Sequence, residues 1–432
     1  MRFHEYSVNS RSGHVIGKSK LKCAIIGSVQ YPFDYYHFSA RFSIKFAFSS
    51  KISHIGFEVS WEISRRKLEM TSRERVHAAL RREPVDRIPI FMWFHPETAI
   101  LLGEVFEIPS SMVATVMGND VLQTWVGNNH AMEGIVHERQ GETHWDDWGV
   151  EWVKEGAFNQ IRHYPLLNAS EEEILNYSFP YHKMNELLSN MDPIMERSME
   201  MFIGCDISPC VFELLCRLRG MENALLDLVA EHLAPRVLRE RAAEFALRQA
   251  ELACERFALD WLWTGDDVGG QLAMMMSPSC WRAKIKPLLE PIFQLGKSHR
   301  LWVAYHSCGS IRPIIPDLIE MGLDVLNPIQ SNCPGMNPFE LKREFGKELT
   351  FMGGVDTQEL LPNGTANQVR SEIEKLVEGM TSDGGGYILA ASHTIPPETP
   401  LENIFAMYEA VGVTEEEIRD RAAAIRSILH KP

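Results

Sequence analysis

From residue 201 to residue 411 the chain alternates short apolar runs with longer amphipathic stretches, and this alternation limits its possible folds more than any other feature. The runs Met201–Ile207, Leu259–Thr264, Leu301–Tyr305, Asp324–Gln330, Leu349–Asp356 and Gly386–His393 read as strands. Helical patterns over 221–257, 280–299, 313–321, 338–345 and 367–380 separate them, and another follows over 401–411. Strand and helix in strict turn, with short connections, imply a parallel sheet covered by helices. Upstream, IPIFMWF over Ile88–Phe94 is expected as a further buried strand ending in His95-Pro96-Glu97. The stretch HWDDWGVEWV, just after Thr143, is expected as a turn or hairpin whose tryptophans pack rather than bind.

An open doubly wound sheet and a closed barrel share this pattern. The part from residue 70 onward, about 360 residues, has room for a barrel with insertions. No strand opens into a G-x-G-x-x-G or G-x-x-x-x-G-K-[ST] phosphate loop, and Gly384-Gly-Gly386 precedes its strand as a turn. The expected fold is therefore α/β, a (β/α)8 TIM barrel over 70–432 with N-terminal and inserted extensions.

Residues 1–69 differ in character. They hold eleven Lys and Arg against five Asp and Glu, whereas the whole chain carries a formal charge of −15. They show no sustained period of two or 3.6. Thr71-Ser-Arg-Glu74 reads as a capping box opening a helix through Leu80. Residues 1–69 are accordingly expected to be unstructured, or to be translated sequence upstream of a start at Met70. The acidic remainder makes nucleic acid and anionic membrane poor partners. No apolar run reaches the roughly 18 residues of a membrane span. Eight scattered cysteines lack the spacing of a secreted disulfide scaffold, so a reduced, cytoplasmic setting is expected.

The polar residues gather at one place in the pattern. Asp266 and Asp267, His306 and Cys308, Asn327 and Gln330, Asp356, and Ser392 and His393 all follow strands, at what would be a barrel's active-site face. His306 and Cys308, two apart at a strand end, can aim an imidazole and a thiolate at one point. His393 leaves a later strand in the same way. His306, Cys308 and His393 together offer three donors suited to zinc with one position open. One of Asp266 and Asp267 is expected to cap the helix that follows, the other to face the pocket for orienting or acid/base work. Cys205, Cys210, Cys216, Cys254, Cys280 and Cys333 are expected in the core.

The segments GDDVGGQ from Gly265, YHSCGSIRPIIPDLIEMGLDVLNPIQ from Tyr305, FMGGVDTQELLPNGT from Phe351 and GGGYILAASHTIPPETPLENI from Gly384 resemble the uroporphyrinogen decarboxylase superfamily. The likeness runs from about Thr71 to Val413 and implies a (β/α)8 barrel. That superfamily divides into true decarboxylases and zinc-dependent methyltransferases that work with corrinoids. Decarboxylases carry an Arg-Gln-Ala-Gly-Arg segment after the first strand, but this chain has Trp93-Phe-His-Pro-Glu-Thr98 there and no Arg between Arg87 and Arg139. A substrate rich in carboxylates would find no arginine clamp. The methyltransferase branch is similar in its H-x-C-G loop, matched by His306, Cys308 and Gly309, but supplies as third ligand a Cys where His393 stands. One thiolate fewer leaves the metal a stronger Lewis acid, suited to polarising an ether or amine.

The expected function is methyl transfer between a small substrate and a corrinoid, carried on a partner protein. Zinc would sit on His306, Cys308 and His393, with Asp267 and Asp266 as catalytic carboxylates and His95, Asn327, Gln330 and Asp356 lining the pocket. One alternative is cofactor-free decarboxylation of uroporphyrinogen, with Asp266 or Asp267 on the pyrrole N–H groups and His393 assisting. Another is a non-catalytic binding subunit for a corrinoid protein.

Overall fold

The alternation closes into a barrel. A computed structural model describes residues 70–230 and 232–429; the expectation for residues 1–69 lies outside the described residues. Among the described residues ten strands form: β1 (Val121–Trp125), β2 (Thr143–Trp145), β3 (Glu151–Glu155), β4 (Phe158–His163), β5 (Phe202–Asp206), β6 (Trp261–Gly265), β7 (Trp302–His306), β8 (Val325–Ile329), β9 (Thr350–Val355) and β10 (Tyr387–Ala391). Seven of them make one parallel sheet in the order β1-β5-β6-β7-β8-β9-β10. The eighth stave is the segment 88–95, which bridges β10 through Ile90↔Leu389 and continues through Phe94↔Ile395. On its other side Asp120 donates its backbone N–H to Ile90, and the Asn119 side chain bonds both backbone groups of Met92. The expected first strand is thus present as isolated bridges rather than a continuous ladder. Pro89 is one cause: its carbonyl accepts from Leu389, but it has no N–H to return.

Side chains alternate across the barrel wall as a period of two requires. Phe91, Val121, Phe202, Trp261, Trp263 and Ala304 point inward and pack as one buried cluster. Leu262, Val303, Tyr305 and Leu326 point outward into the helix layer. The interior is filled because β6 contributes two tryptophans and its neighbour yields space. A Cβ on Gly204 would lie 2.1 Å from Trp261 Nε1, which donates to Gln123 Oε1 at 2.7 Å.

The helix Ser72–Leu80 plugs the N-terminal end of the barrel with Val76 and Leu80, and its Thr71–Glu74 capping box is formed. His77 Nδ1 accepts from Trp302 Nε1 at 3.1 Å, and its Nε2 faces Asp260 at 2.9 Å. Arg75 joins Asp86 and Asp120, which Arg87 also engages. The opposite end is partly roofed by β2, β3 and β4, an antiparallel sheet that forms the expected hairpin with one further strand. Trp148 and Trp152 are buried there, while Trp145 is 60% exposed.

The helical expectations over 221–257 and 280–299 each split in the structure, the latter into Pro278–Lys284 and Lys286–Ser298. The pattern over 221–257 is two helices, Met221–Val229 and Leu233–Arg256, because Pro235 lacks an N–H and is accommodated only in a first turn. Beyond Val413 a helix Glu415–Leu429 follows and buries Ile418 and Ala422. Among the described residues no single helix is long and apolar enough to cross a membrane.

Candidate metal centre

β7 places His306 by parity: Trp302, Ala304 and His306 share the inward face, and His306 lies in register with Gly265 and Asn327. Asn327 is 1% exposed and its Oδ1 accepts from His306 Nδ1 at 2.7 Å. The proton on Nδ1 leaves the Nε2 lone pair free, the arrangement of a metal-binding histidine fixed by a carbonyl behind it. Nε2 lies 3.6 Å from Cys308 Sγ and 3.7 Å from Asp267 Oδ1.

The Cys308 loop is locked from both sides. Cys308 donates its backbone N–H to Asp267 Oδ1 at 2.8 Å, and Gly309 donates to Gln330 Oε1. Gln330 also reaches Ser392 O through Nε2 at 3.4 Å, tying the loops after β7, β8 and β10 together. The two glycine motifs touch directly. A Cβ on Gly269 would meet Cys308 O at 2.4 Å, and one on Gly309, whose φ is +81°, would meet Gly269 C at 2.6 Å. Only glycines allow these backbones to lie so close.

Among the described residues, Asp267, His306 and Cys308 are the three donors that converge, all within 4.8 Å of one another. A tetrahedral zinc with bonds of about 2.0–2.3 Å holds its ligand atoms roughly 3.3–3.7 Å apart, close to the spacings here. The donor set therefore fits zinc. Burial and then the Asp267 carboxylate push the free Cys308 thiol well up, so a bound cation would be what holds it as thiolate.

The other expected site residues fall in three groups. His393 stands exposed at the mouth, where Nδ1 shares a hydrogen bond of 2.8 Å with Thr394 Oγ1 and the ring meets Phe158 at 6.0 Å. It lies outside the converging trio; the protein packed against one side of its ring, and then the proximity of His306, lower its pKa. Asp266 is fully buried and accepts the backbone N–H groups of Val211 and Glu213 at 3.0 Å. It caps the helix Phe212–Arg219 of the preceding unit, not the helix that follows, and burial raises its carboxyl to about 7. His95 and Asp356 serve the backbone. His95 Nε2 meets Ala157 O at 2.8 Å and its Nδ1 accepts from Glu97 N, while Asp356 accepts from Gln358 N at 2.8 Å. Cys205, Cys210 and Cys333 are buried, and Cys216, Cys254 and Cys280 are half-buried.

Three groups at the mouth escaped the sequence reading. Asp206 ends β5 on the inward face, accepts from Ser208 and Gln123, and burial raises its carboxyl to about 7. A polar residue at that strand end was the available signal. Glu133 sits on a π-helical turn, His130–Gly134, within electrostatic reach of His306 and Asp267. No periodicity marked it. Trp93 packs its ring 5.9 Å from that of His306.

Residues 208–413 match the family model described as uroporphyrinogen decarboxylase (URO-D). The chain is 27% identical over 177 residues to a uroporphyrinogen decarboxylase of Thermus thermophilus, a match covering 40% of this chain and 46% of that protein. It is 26% identical over 136 residues to the methylcobamide:CoM methyltransferase MtaA of Methanosarcina barkeri, covering 32% of this chain and 37% of that one. The chain thus spans about half or less of the length of the curated relatives it matches. A solved methyltransferase from Methanosarcina mazei superposes with a TM-score of 0.58 at 18% identity, covering 79% of this chain and 98% of the other, and so shares the barrel fold. Over residues 208–413 the chain is therefore similar to the uroporphyrinogen decarboxylase (URO-D) family.

Proposed function

We propose that this chain is an enzyme that moves a methyl group between a small substrate and a corrinoid carried by a partner protein, with zinc at the barrel mouth. The observation that carries the reading is the convergence of His306 Nε2, Cys308 Sγ and Asp267 Oδ1 behind a histidine whose Nδ1 is already committed. These three would hold the metal, and His393 at the rim is the remaining candidate donor. When bound, zinc supplies Lewis acidity, holding an acceptor thiol as thiolate or polarising a methoxy or amine donor.

The chain's own groups do the rest. Asn327 keeps the imidazole in the donor tautomer, and Asp267 and Gln330 hold the Cys308 backbone in place. Trp93, against the His306 ring, forms an apolar wall on one side of the donors. The likeness to a methylcobamide:CoM methyltransferase supports the reaction class.

The likeness to a uroporphyrinogen decarboxylase favours a second reading. Its substrate needs cationic partners for several carboxylates. The cavity beyond Trp93 from the donors is lined by no Arg, and Lys154 is already engaged by His137 O and Glu97.

Metal analysis decides the first half of the proposal. Purified protein should carry about one zinc per chain, and a His306→Ala Cys308→Ala variant should lose it. Demethylation of methylcobalamin by a thiol, followed by its absorbance, tests the second half. Coproporphyrinogen formed anaerobically from uroporphyrinogen would replace this reading with decarboxylation. Zinc-free protein that binds a corrinoid protein without turnover would replace it with a docking role.

A further inference from the structure

On the far side of Trp93 from the donor trio lies a cavity of about 420 Å³, a volume suited to a small organic ligand. Trp93, Phe94, Trp125 and Phe158 line it from three different elements, and Glu133 lines it from the π-helical turn. Trp93 joins it to the metal centre by its contact with His306, and Phe158 joins it to His393.

The charges around it are unevenly matched. Lys154 donates to His137 O at 3.0 Å and pairs with Glu97 at 3.5 Å. His137 is held by His144 at 2.8 Å and Glu142 at 3.7 Å, and both ring nitrogens of His95 serve backbone groups. Among the described residues the Glu133 carboxylate has neither a hydrogen bond nor an ion pair. Burial pushes it up, as does the repulsion of Glu213 and Asp267, against the pull of His306 and Arg217. Arg217 is itself spent on Asn128, Asn129 and Glu213. A partly desolvated carboxylate lining the same cavity as these aromatic residues has an unmet need for positive charge. Ring faces are negative, so they attract the same sign of ligand and favour a soft, weakly hydrated cation.

We propose that this cavity is a cage for a methylated ammonium cation, with Glu133 as the charge that selects it. The assignment rests on the methyl-transfer reading for the fate of the ligand, though not for its binding. In donation an N–CH3 bond breaks with its electron pair left on nitrogen, so the amine departs neutral. The methyl group passes to the corrinoid's Co(I), which supplies the electron pair of the new bond.

Choline and its uncharged carbon isostere, 3,3-dimethylbutan-1-ol, test the cage by calorimetry on the full chain loaded with zinc. Choline should bind about tenfold more tightly than the isostere. Glu133→Gln should weaken choline by about tenfold and leave the isostere unmoved. Phe158→Leu, at a residue 42% exposed, removes one ring without touching the core and should weaken choline severalfold. The His306→Ala Cys308→Ala variant should lose zinc and keep choline. Equal affinity for the two ligands, choline left unbound by folded protein, or choline lost together with the metal would each overturn the cage. Choline bound without any methyl transfer would overturn only the reaction.

Discussion

His306 has two ring nitrogens, and the residue behind it decides which one can bind a metal. Asn327 is buried, and its Oδ1 takes the Nδ1 proton at 2.7 Å. Replacing Asn327 with Leu keeps the volume but strands that proton and frees the ring to turn or change tautomer. Zinc affinity, measured by competition with a chelator, should fall by about 10- to 100-fold while the far-ultraviolet spectrum is unchanged. Undiminished affinity would mean that Asn327 does not orient the ligand. Parity also explains how the third donor could have been read. Trp261, Trp263, Gly265 and Asp267 fall on one side of their strand, as Trp302, Ala304 and His306 do on theirs. Ile388 and Ala390 point into the barrel, so His393 falls on the opposite set, with Leu389 and Ala391. Counting by twos favours Asp267 over His393 as the partner of His306. Glu133 had no such signal, since a π-helical turn in a stretch without periodicity leaves no pattern in the residues.

At the level of elements, the strand–helix order was legible because each strand and helix declares its own period locally. What depends on neighbours was not. Asp266 caps the helix Phe212–Arg219 only because β5 and β6 lie side by side, and nothing in the local sequence specifies that adjacency. The contact between the loops after β6 and β7 is of the same kind and can be tested through its glycines. Gly269→Ala would drive a Cβ to 2.4 Å from Cys308 O and 3.0 Å from Gly309 C, backbone atoms that cannot step aside. Overpacking of this sort costs about 1–3 kcal/mol, and here the strain falls on the loop that carries Cys308. Gly412→Ala is the control, since its φ of +81° is strained for alanine but nothing lies within 4 Å. Both variants should melt lower than the parent, and only Gly269→Ala should also lose zinc. Equal zinc content in the two would show that the loops do not need this contact.

Across the whole molecule, the two ends of the barrel divide the work. The C-terminal end gathers buried acids held at a cost, Asp206 and Asp266 among them, whereas the N-terminal end pairs its charges. Burial alone would raise the carboxyl of Asp86, but the guanidinium of Arg75 and the backbone N–H groups of Met70 and Arg87 bring it down to about 2. The same arginine engages Asp120 at 2.6 Å and Met70 O, so the plug helix is fastened to the barrel floor through it. A carboxylate whose folded pKa lies below its unfolded one binds fewer protons in the native state across that interval. Its contribution is therefore complete above about pH 5 and is lost as the pH falls from about 4 towards 2. A depression from 3.8 to about 2 corresponds to about 2 kcal/mol of stability. Urea unfolding at pH 6, 4 and 3 should show the parent converging on an Asp86→Asn variant as the pH drops, because the variant lacks this term throughout. Taking the difference between the two proteins cancels the other acids at this end, such as Asp260, that also titrate low. A gap that stays constant from pH 6 to 3 would show that Asp86 acts through packing, not charge.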